Sequence, residues 1–474
     1  MVEKKISDEL IISYSFPPSN TTTSLVMSKR ILKNKKTVDV IQGSLNNLNN
    51  DDLLIRELLN EYIINNYIIE LPFSDNWENI KEFVQKGMKK LNNEKTYEKI
   101  YSRAYFLHSH FLAICYKLKH PETYWTAEFS DPLTYNFERK NENNTPLTDK
   151  EYIDYINDQI TGNIKLNDNI NYICEYLTFL LADEIIFTNE NQIEVMLFNF
   201  SDEIKNLVLK KAKIEAHPTL DEKYYHIVEN DYKIDDNYIN FAYFGVINRN
   251  RTLEDVTNAF DNLNSKIKDK FKLHIFTPNI IMFEQLLSSE LLKKTTINQT
   301  IPFLEFLNLS TKFDVLIVND SYTKDIFKIN PYLPSKISDY IGSKKDIWAI
   351  CDENSPMDKM NIKYKSKIND INSNTSILTK ILEDKVNNIK VDENILSDEE
   401  IISYLQERSN HFIIRISELI QVLENEFQKN NDNSNNINNL KEEIEKLKRE
   451  NNEIKNSNSW KITKNLRKIG KQFK

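Results

Sequence analysis

The sequence predicts an α/β protein of two doubly wound domains, followed by a long helix, a short coiled coil and a basic amphipathic tail. Three observations carry this reading. Short apolar runs alternate with amphipathic stretches in two successive blocks, the pattern of parallel strands joined by helices. The segment from Phe313 to Cys351 reads FDVLIVND, PYLPSKISDYIG and SKKDIWAIC, which is strand, loop, helix and strand. After Ser397 the alternation stops and a heptad-like spacing takes over.

The elements of the first block come in order. ELIISYSF is a first buried strand, PPSNTTTS a polar turn and LVMSKRIL a helix, the opening of a Rossmann-like unit. TVDVIQ reads as strand, Asp51 to Asn65 as helix, NYIIELPF as strand and Trp77 to Leu91 as helix. Tyr101 to Tyr116 is apolar and aromatic and reads as a buried helix. TYWTAEFSD is a strand ending in an acidic turn, and the polar stretch Glu138 to Lys150 belongs on the surface. Asn171 to Ala182 is a helix, then EIIFT a strand and NENQIEVMLFNF a helix. These residues, 1–218, form the first domain, and 219–236 link it to the second.

The second domain, 237–396, opens with the strand INFAYFGVI. The helix TLEDVTNAFDNL puts Leu253, Val256, Ala259, Phe260 and Leu263 on one face. FKLHIFTP is the next strand; TTINQTI and then 313–351 follow. A helix over 397–428 ends at the break KNNDNSNN. Over 437–456, Ile437, Leu440, Ile444, Leu447, Asn451 and Ile454 alternate by three and four, with Lys441, Lys448 and Lys455 at e and Glu443 and Glu450 at g. That spacing suits a parallel homodimer whose register Asn451 would fix. The tail, 458–474, includes SWKITKNLRKIGKQFK, with six basic groups and no acidic one. Ile462, Leu466, Ile469 and Phe473 share a helical face there, suited to an anionic membrane surface.

Composition narrows the function. Of 474 residues, 40% are hydrophobic and 11% aromatic, enough for two cores. Only 6 glycines occur, so glycine-based fingerprints are expected to be missing or replaced. The net charge of −9 argues against a nucleic-acid partner, which needs a basic footprint. Cys115, Cys174 and Cys351 have neither disulfide nor zinc spacing, so no metal is expected and a reducing cytoplasm fits. The N-terminal apolar run is too short for a signal sequence, and no stretch reaches the ~18 apolar residues of a spanning helix. A cytoplasmic protein is expected, soluble or peripheral at the inner face of the membrane.

In an open α/β sheet, ligands bind at the carboxyl ends of the strands. Ser335, Lys336 and Asp339 fall at that edge, offering a cation for a pyrophosphate and a carboxylate for a ribose diol on one helical face. Arg249 and Arg251 precede TLEDV, where a guanidinium beside helix N–H groups makes an anion site. These segments resemble the donor-binding region of GT-B glycosyltransferases of the GT4 kind. The likeness runs from Leu10 to about Glu424, through YSRAYFLHSHFLAI, YWTAEFSDPL, LADEIIFTNENQIEVM, FAYFGVINRNRTLEDVTNAF and TTINQTIPFLEFL.

The resemblance implies two Rossmann-like domains facing across a cleft, the second holding a nucleotide sugar and the first presenting the acceptor. It implies retention at the anomeric carbon, with no metal and no cofactor beyond a nucleoside diphosphate sugar as co-substrate. Arg251 would meet the donor pyrophosphate, with Arg249 as second choice; Lys336 would meet the leaving phosphate, Asp339 the ribose, and Thr300 and Ile301 the base. Two departures stand out. Pro331 occupies the place of the family's usual first glutamate, eight residues before Asp339. Ser19, Asn20 and Thr21 replace its glycine loop, offering hydroxyl and amide groups to phosphate or acceptor.

On the acceptor side, His110 is either a cleft ligand for a sugar hydroxyl or a core histidine. Asp131 either orients the acceptor or opens the turn at Pro132. His217, at the hinge, reads as structural. The expected function is sugar transfer to a saccharide or lipid-linked acceptor in cell-surface polysaccharide or glycoconjugate biosynthesis. The alternatives are a non-catalytic GT-B scaffold that binds nucleotide or glycan, and a sugar-nucleotide epimerase on the same fold.

Overall fold

The computed structural model describes residues 7–44, 52–92, 96–134, 145–160, 162–246, 251–264, 267–280, 287–324 and 326–386. The chain divides into two compact units, 1–390 and 391–474, and every described residue belongs to the first. The expected helix at 397–428, coiled coil at 437–456 and tail at 458–474 lie outside the described residues.

The first domain contains β1 (Glu9–Ile12), α1 (Thr22–Asn34), β2 (Val38–Gly43), α2 (Leu53–Leu59), β3 (Ile63–Ile69), α3 (Trp77–Leu91), β4 (Lys99–Ala104) and α4 (Leu107–Lys119). It continues with β5 (Tyr124–Phe129), α5 (Lys150–Gln159), α6 (Ile170–Leu181), β6 (Glu184–Phe187), α7 (Glu190–Leu197), α8 (Asp202–Lys211) and β7 (Ala212–Ile214). All seven strands are parallel, in the order β3-β2-β1-β4-β5-β6-β7. A short 3-10 turn, Glu222–His226, leads to the second domain.

That domain runs β8 (Ile239–Phe244), α9 (Glu254–Asp261), β9 (Phe271–Phe276), α10 (Ser289–Lys293), β10 (Thr295–Asn298), α11 (Phe303–Ser310), β11 (Val315–Asn319), α12 (Lys336–Gly342), β12 (Asp346–Cys351), β13 (Tyr364–Lys367) and α13 (Ile371–Val386). Its six parallel strands take the order β10-β9-β8-β11-β12-β13. Both sheets therefore reverse direction once, between β1 and β4 and between β8 and β11. Those switch points are where an open α/β sheet leaves a crevice for ligand.

The asparagine-rich composition serves the helix starts. Asn76, Asn169 and Asn189 each accept a backbone N–H of the first turn of α3, α6 and α7, satisfying donors the helix leaves open. The apolar residues sort into layers. One core lies on the α3, α4 and α6 side of the first sheet, and another on the α9 and α13 side of the second. A third cluster is shared, with Ile11, Met27, Ile31 and Leu59 of the first domain packed with Phe303, Leu304 and Tyr340 of the second. The cleft faces of the two domains are thus joined at their base by apolar packing.

Two expectations fail. The helix read over Tyr101 to Tyr116 is a strand, β4, followed by a helix that starts at Leu107. Ser102 faces the apolar core while Tyr101 and Arg103 face the cleft side, a period of two that the aromatic content masked. The helix expected from Asp51 to Asn65 ends at Leu59, and Ile63 already pairs with Val38 in β3. Its β-branched isoleucines fit a pleated surface better than a helical one. The helices at Lys150–Gln159 and Asp202–Lys211 were not expected.

Candidate functional site

Asp131, Arg251, Lys336 and Asp339 lie beyond the carboxyl ends of strands in the two sheets, close enough for their charges to influence one another. Asp131 follows β5 by two residues and Arg251 lies between β8 and α9; Lys336 and Asp339 lie on α12. Burial raises the Asp131 carboxyl against the opposing pull of Arg103 and Arg251. Burial likewise lowers the Lys336 ammonium; Asp339 opposes this, and Lys29 and Arg251 reinforce it. The mutual influence ties residues 131, 251, 336 and 339 into one electrostatic cluster. Lys336 also stands over the Phe306 ring, Nζ 4.7 Å from its centroid.

Arg251 is half-buried, and its Nη2 donates to Ser321 Oγ at 3.1 Å while its Nε has no partner. Next to Ser321, Asp320 is fully buried. Its Oδ2 accepts from the Asp352 backbone N–H at 2.9 Å and from Ser355 Oγ at 2.5 Å, and its Oδ1 has no partner. Burial pushes its carboxyl up to about 7. Buried polar atoms normally find partners, so these open positions at the β8/β11 switch point suit a polar ligand.

Asp339 is not open. Lys29 Nζ, from α1 of the first domain, donates to Asp339 Oδ1 at 2.8 Å and to Ser338 Oγ at 2.9 Å, with Lys29 only 1% and Asp339 5% exposed. The ribose carboxylate expected from the sequence is thus engaged by a cation from across the cleft. Nearby, Asp52 Oδ1 caps α2 at Ile55 N, and its Oδ2 accepts the Phe303 N–H of α11 at 2.7 Å, so one carboxylate caps helices of both domains. Thr300 is exposed and Ile301 half-buried, just before that cap.

Behind Asp131 lies a network that the sequence reading missed. Glu128, fully buried on β5, accepts from Arg30 Nη2 at 3.1 Å and Nε at 3.3 Å and from the Tyr101 hydroxyl, and Arg103 Nη1 lies 3.6 Å away. Arg103 Nη1 also donates to Ser130 Oγ at 2.7 Å, and its Nε is unpartnered. Burial opposes the charge of Glu128, but Arg103, Arg30 and the hydrogen bonds bring its carboxyl down to about 2. The signal was present in the sequence: Arg103 and Glu128 are charged residues inside runs otherwise built for burial. Lys29 sits in the same way among apolar neighbours of α1.

The remaining expected residues stand apart from this cluster. His110 is a core histidine rather than a cleft ligand. It has no exposed surface, its Nδ1 lies 2.8 Å from Ser102 Oγ, and its ring packs edge-on against Phe129 at 4.8 Å. Its position on the apolar side of β4 keeps it away, and burial lowers its pKa to about 3. Thr21 caps α1 through Ser24 N, Ser19 Oγ lies 3.3 Å from Ser15 Oγ, and Asn20 is half-exposed beside them. Ser335 begins α12 without a side-chain cap. Arg249 lies outside the described residues. Pro331, in the place of the expected glutamate, accepts the Asn189 Nδ2–H through its carbonyl at 3.0 Å. His217 is buried with Nδ1 unpartnered, and burial together with Arg103 and Lys29 holds it well below the usual histidine range.

The chemistry available is electrostatic. Lys29 is taken up by Asp339 and Arg103 lies beside Glu128, whereas neither Arg251 nor Lys336 is hydrogen-bonded to a carboxylate among the described residues, which suits an anion such as a diphosphate. The three cysteines are free, and burial pushes their thiols up, away from the nucleophilic thiolate. Among the described residues, no group of three or more His, Cys, Asp or Glu stands ready to hold a metal, and no helix is long and apolar enough to cross a membrane.

Two parallel sheets in Rossmann order, facing one another with polar groups at their carboxyl edges, constitute the GT-B fold. No family model matches the chain, and no curated protein matches it in sequence. In structure it is similar to HepE from Anabaena, solved with UDP and glucose, with a TM-score of 0.51 at 9% identity over 80% of this chain and 90% of that one. Lower likenesses are to WaaG, a glycosyltransferase involved in lipopolysaccharide biosynthesis (TM-score 0.45, 9% identity, 79% of this chain and 90% of that one), and to a UDP-forming α,α-trehalose-phosphate synthase from Burkholderia xenovorans (TM-score 0.48, 9% identity, 80% and 91%). At such identities the likeness is one of fold.

Proposed function

We propose that this protein is a glycosyltransferase that moves a sugar from a nucleoside diphosphate donor to a saccharide or lipid-linked acceptor, with retention, in the manner of GT4 enzymes. The observation that carries the reading is the convergence of Arg251 and Lys336 with Asp131 at facing sheet edges of a GT-B fold. In this reading the cations stabilise charge on the departing diphosphate. The bond from the anomeric carbon to the phosphate oxygen breaks, the acceptor oxygen takes its place, and the acceptor proton passes to the leaving phosphate. Positioning and charge stabilisation then do the catalysis, without a protein nucleophile. Asp131 orients the acceptor hydroxyl. The cytoplasmic setting, the basic tail at an anionic inner-membrane surface and the coiled-coil dimer belong to the same proposal, as does a role in cell-surface polysaccharide assembly.

The test is turnover. Purified protein is given UDP-, GDP-, ADP- and CDP-linked sugars with saccharide and lipid-linked acceptors, and released nucleoside diphosphate and glycosylated product are measured. One donor is expected to react only with acceptor present, and Arg251→Ala is expected to lower turnover by ~10²–10³-fold, the cost of losing a charge-stabilising donor. Unchanged turnover in that variant would remove Arg251 from the mechanism. One observation favours a second reading, a non-catalytic scaffold: the carboxylate meant for the ribose is engaged by Lys29. Binding of a nucleotide sugar without turnover of any donor would support it.

A further inference from the structure

Lys29 is the only described residue of the first domain in an ion pair with α12, the helix that carries the donor-side groups. Its two partners, Asp339 Oδ1 at 2.8 Å and Ser338 Oγ at 2.9 Å, lie on one turn of that helix. Removing either partner of so deeply buried an ion pair leaves the other group without its counter-charge, which is strongly disfavoured. The Asp339 turn is anchored once more, since Tyr225 of the interdomain 3-10 turn donates its hydroxyl to the Asp339 carbonyl at 2.7 Å.

We infer that Lys29 is a gate on the nucleotide site, holding Asp339 in an ion pair and releasing it when a nucleoside diphosphate enters. The inference rests on the donor-site reading above and adds a residue from the opposite domain to it. Two chemical facts support the exchange. A ribose diol is a pair of neutral donors, and it satisfies a carboxylate without satisfying the ammonium that leaves it. A diphosphate supplies that ammonium with a new anionic partner, beside the cations of Arg251 and Lys336 whose charges already bear on the same spot. Nucleotide entry therefore trades one ion pair for two contacts. A gate of this kind taxes affinity by the fraction of molecules in which the pair is broken.

Removing the ammonium lifts the tax. Isothermal titration with UDP, GDP, ADP and CDP, and with the corresponding monophosphates UMP, GMP, AMP and CMP, is made on the wild type, Lys29→Met and Lys29→Gln, each first shown by circular dichroism to be folded. The gate predicts that both variants bind the preferred nucleoside monophosphate, used as a probe with little phosphate contact, about tenfold more tightly than the wild type. The diphosphate gains less, because the variants also lose the contact that Lys29 makes with it. Asp339→Asn is expected to weaken binding in the Lys29→Met background, where only the ribose contact is at stake. Equal or weaker monophosphate binding by a folded Lys29→Gln protein overturns the gate while leaving the donor site standing. Absence of any nucleotide binding in the wild type and both variants overturns the donor site and the gate together.

Discussion

Arg30 and Glu128 form a buried ion pair between α1 and β5 of the first domain, Nη2 to Oε1 3.1 Å, with no exposed surface on the carboxylate. Arg103 and Tyr101 complete its surroundings, so the carboxylate is shared by two buried guanidiniums, of which Arg30 also pairs with the half-buried Glu215. Glu128→Ala takes from Arg103 its nearest carboxylate and leaves Arg30 with Glu215 alone, and is expected to destabilise the fold by roughly 3 kcal/mol, the low end for breaking a buried pair. Urea denaturation of wild type and variant measures it directly. A loss under about 1 kcal/mol would show that water reaches the arginines and that the cluster is less enclosed than its burial implies.

Acid is expected to unfold the protein early, because buried histidines outweigh buried carboxyls. Burial lowers His108 and His110 to about 3, His274 to about 4, and His217 well below its ordinary value. A folded pKa below the unfolded value of about 6.5 gives stability that is complete above that pH and lost as pH falls. Glu175 and Asp320 act in the opposite sense: burial pushes both up to about 7, so proton uptake below pH 7 favours the folded state. Asp131 and Asp255, also raised by burial, act with these carboxyls, and the four buried histidines still leave a net loss of stability as pH falls from 6.5 to 5. Below about pH 4.5, Glu128, held near 2, adds its own loss. Circular dichroism is expected to show cooperative unfolding near pH 4–5; a native spectrum at pH 3 contradicts this account.

Gly342 ends α12 where the interdomain turn presses against it. A Cβ there would lie 2.0 Å from the Tyr225 hydroxyl and 2.6 Å from its ring carbon. Tyr225 is buried and its hydroxyl is held by the Asp339 carbonyl, so it has little freedom to yield. Gly342→Ala is expected to cost about 1–3 kcal/mol as an overpacked contact. Tyr225→Phe in the same chain removes the clashing hydroxyl and is expected to restore part of the loss. Thermal melts of the single and double variants supply the comparison, and additive losses would refute the contact.

Much of this architecture was readable from the sequence because parallel strands covered on both faces are written as apolar runs, and FDVLIVND and INFAYFGVI leave little choice. The strand at Lys99–Ala104 was hidden because Tyr101 and Arg103 alternate with Ile100 and Ser102, and the helix that follows continues the aromatic run without a break. Of the candidate site, the positions of Arg251, Lys336, Asp339 and Asp131 beyond strand ends were legible in the sequence, and their roles belong to the proposal. The role of Lys29 was not. It depends on a contact spanning 310 positions of the chain, and neither spacing nor periodicity along one helix reports what the opposite domain brings to it. Arg30, Arg103 and Glu128 were missed for a related reason: each is legible only as a charge in a buried run, and its partners lie on other elements. His110 went the other way, since residue type suggested chemistry where the sheet face dictated packing.

The most direct test of the central claim is thermal unfolding with UDP, GDP, ADP and CDP in turn, on the wild type and Arg251→Ala. A ligand at ~100 times its dissociation constant adds about 2.7 kcal/mol, a rise of at most several degrees for a chain of this size. The account predicts that one nucleotide raises the melting temperature of the wild type and fails to do so in Arg251→Ala. No shift with any of the four, or an equal shift in both proteins, would contradict it.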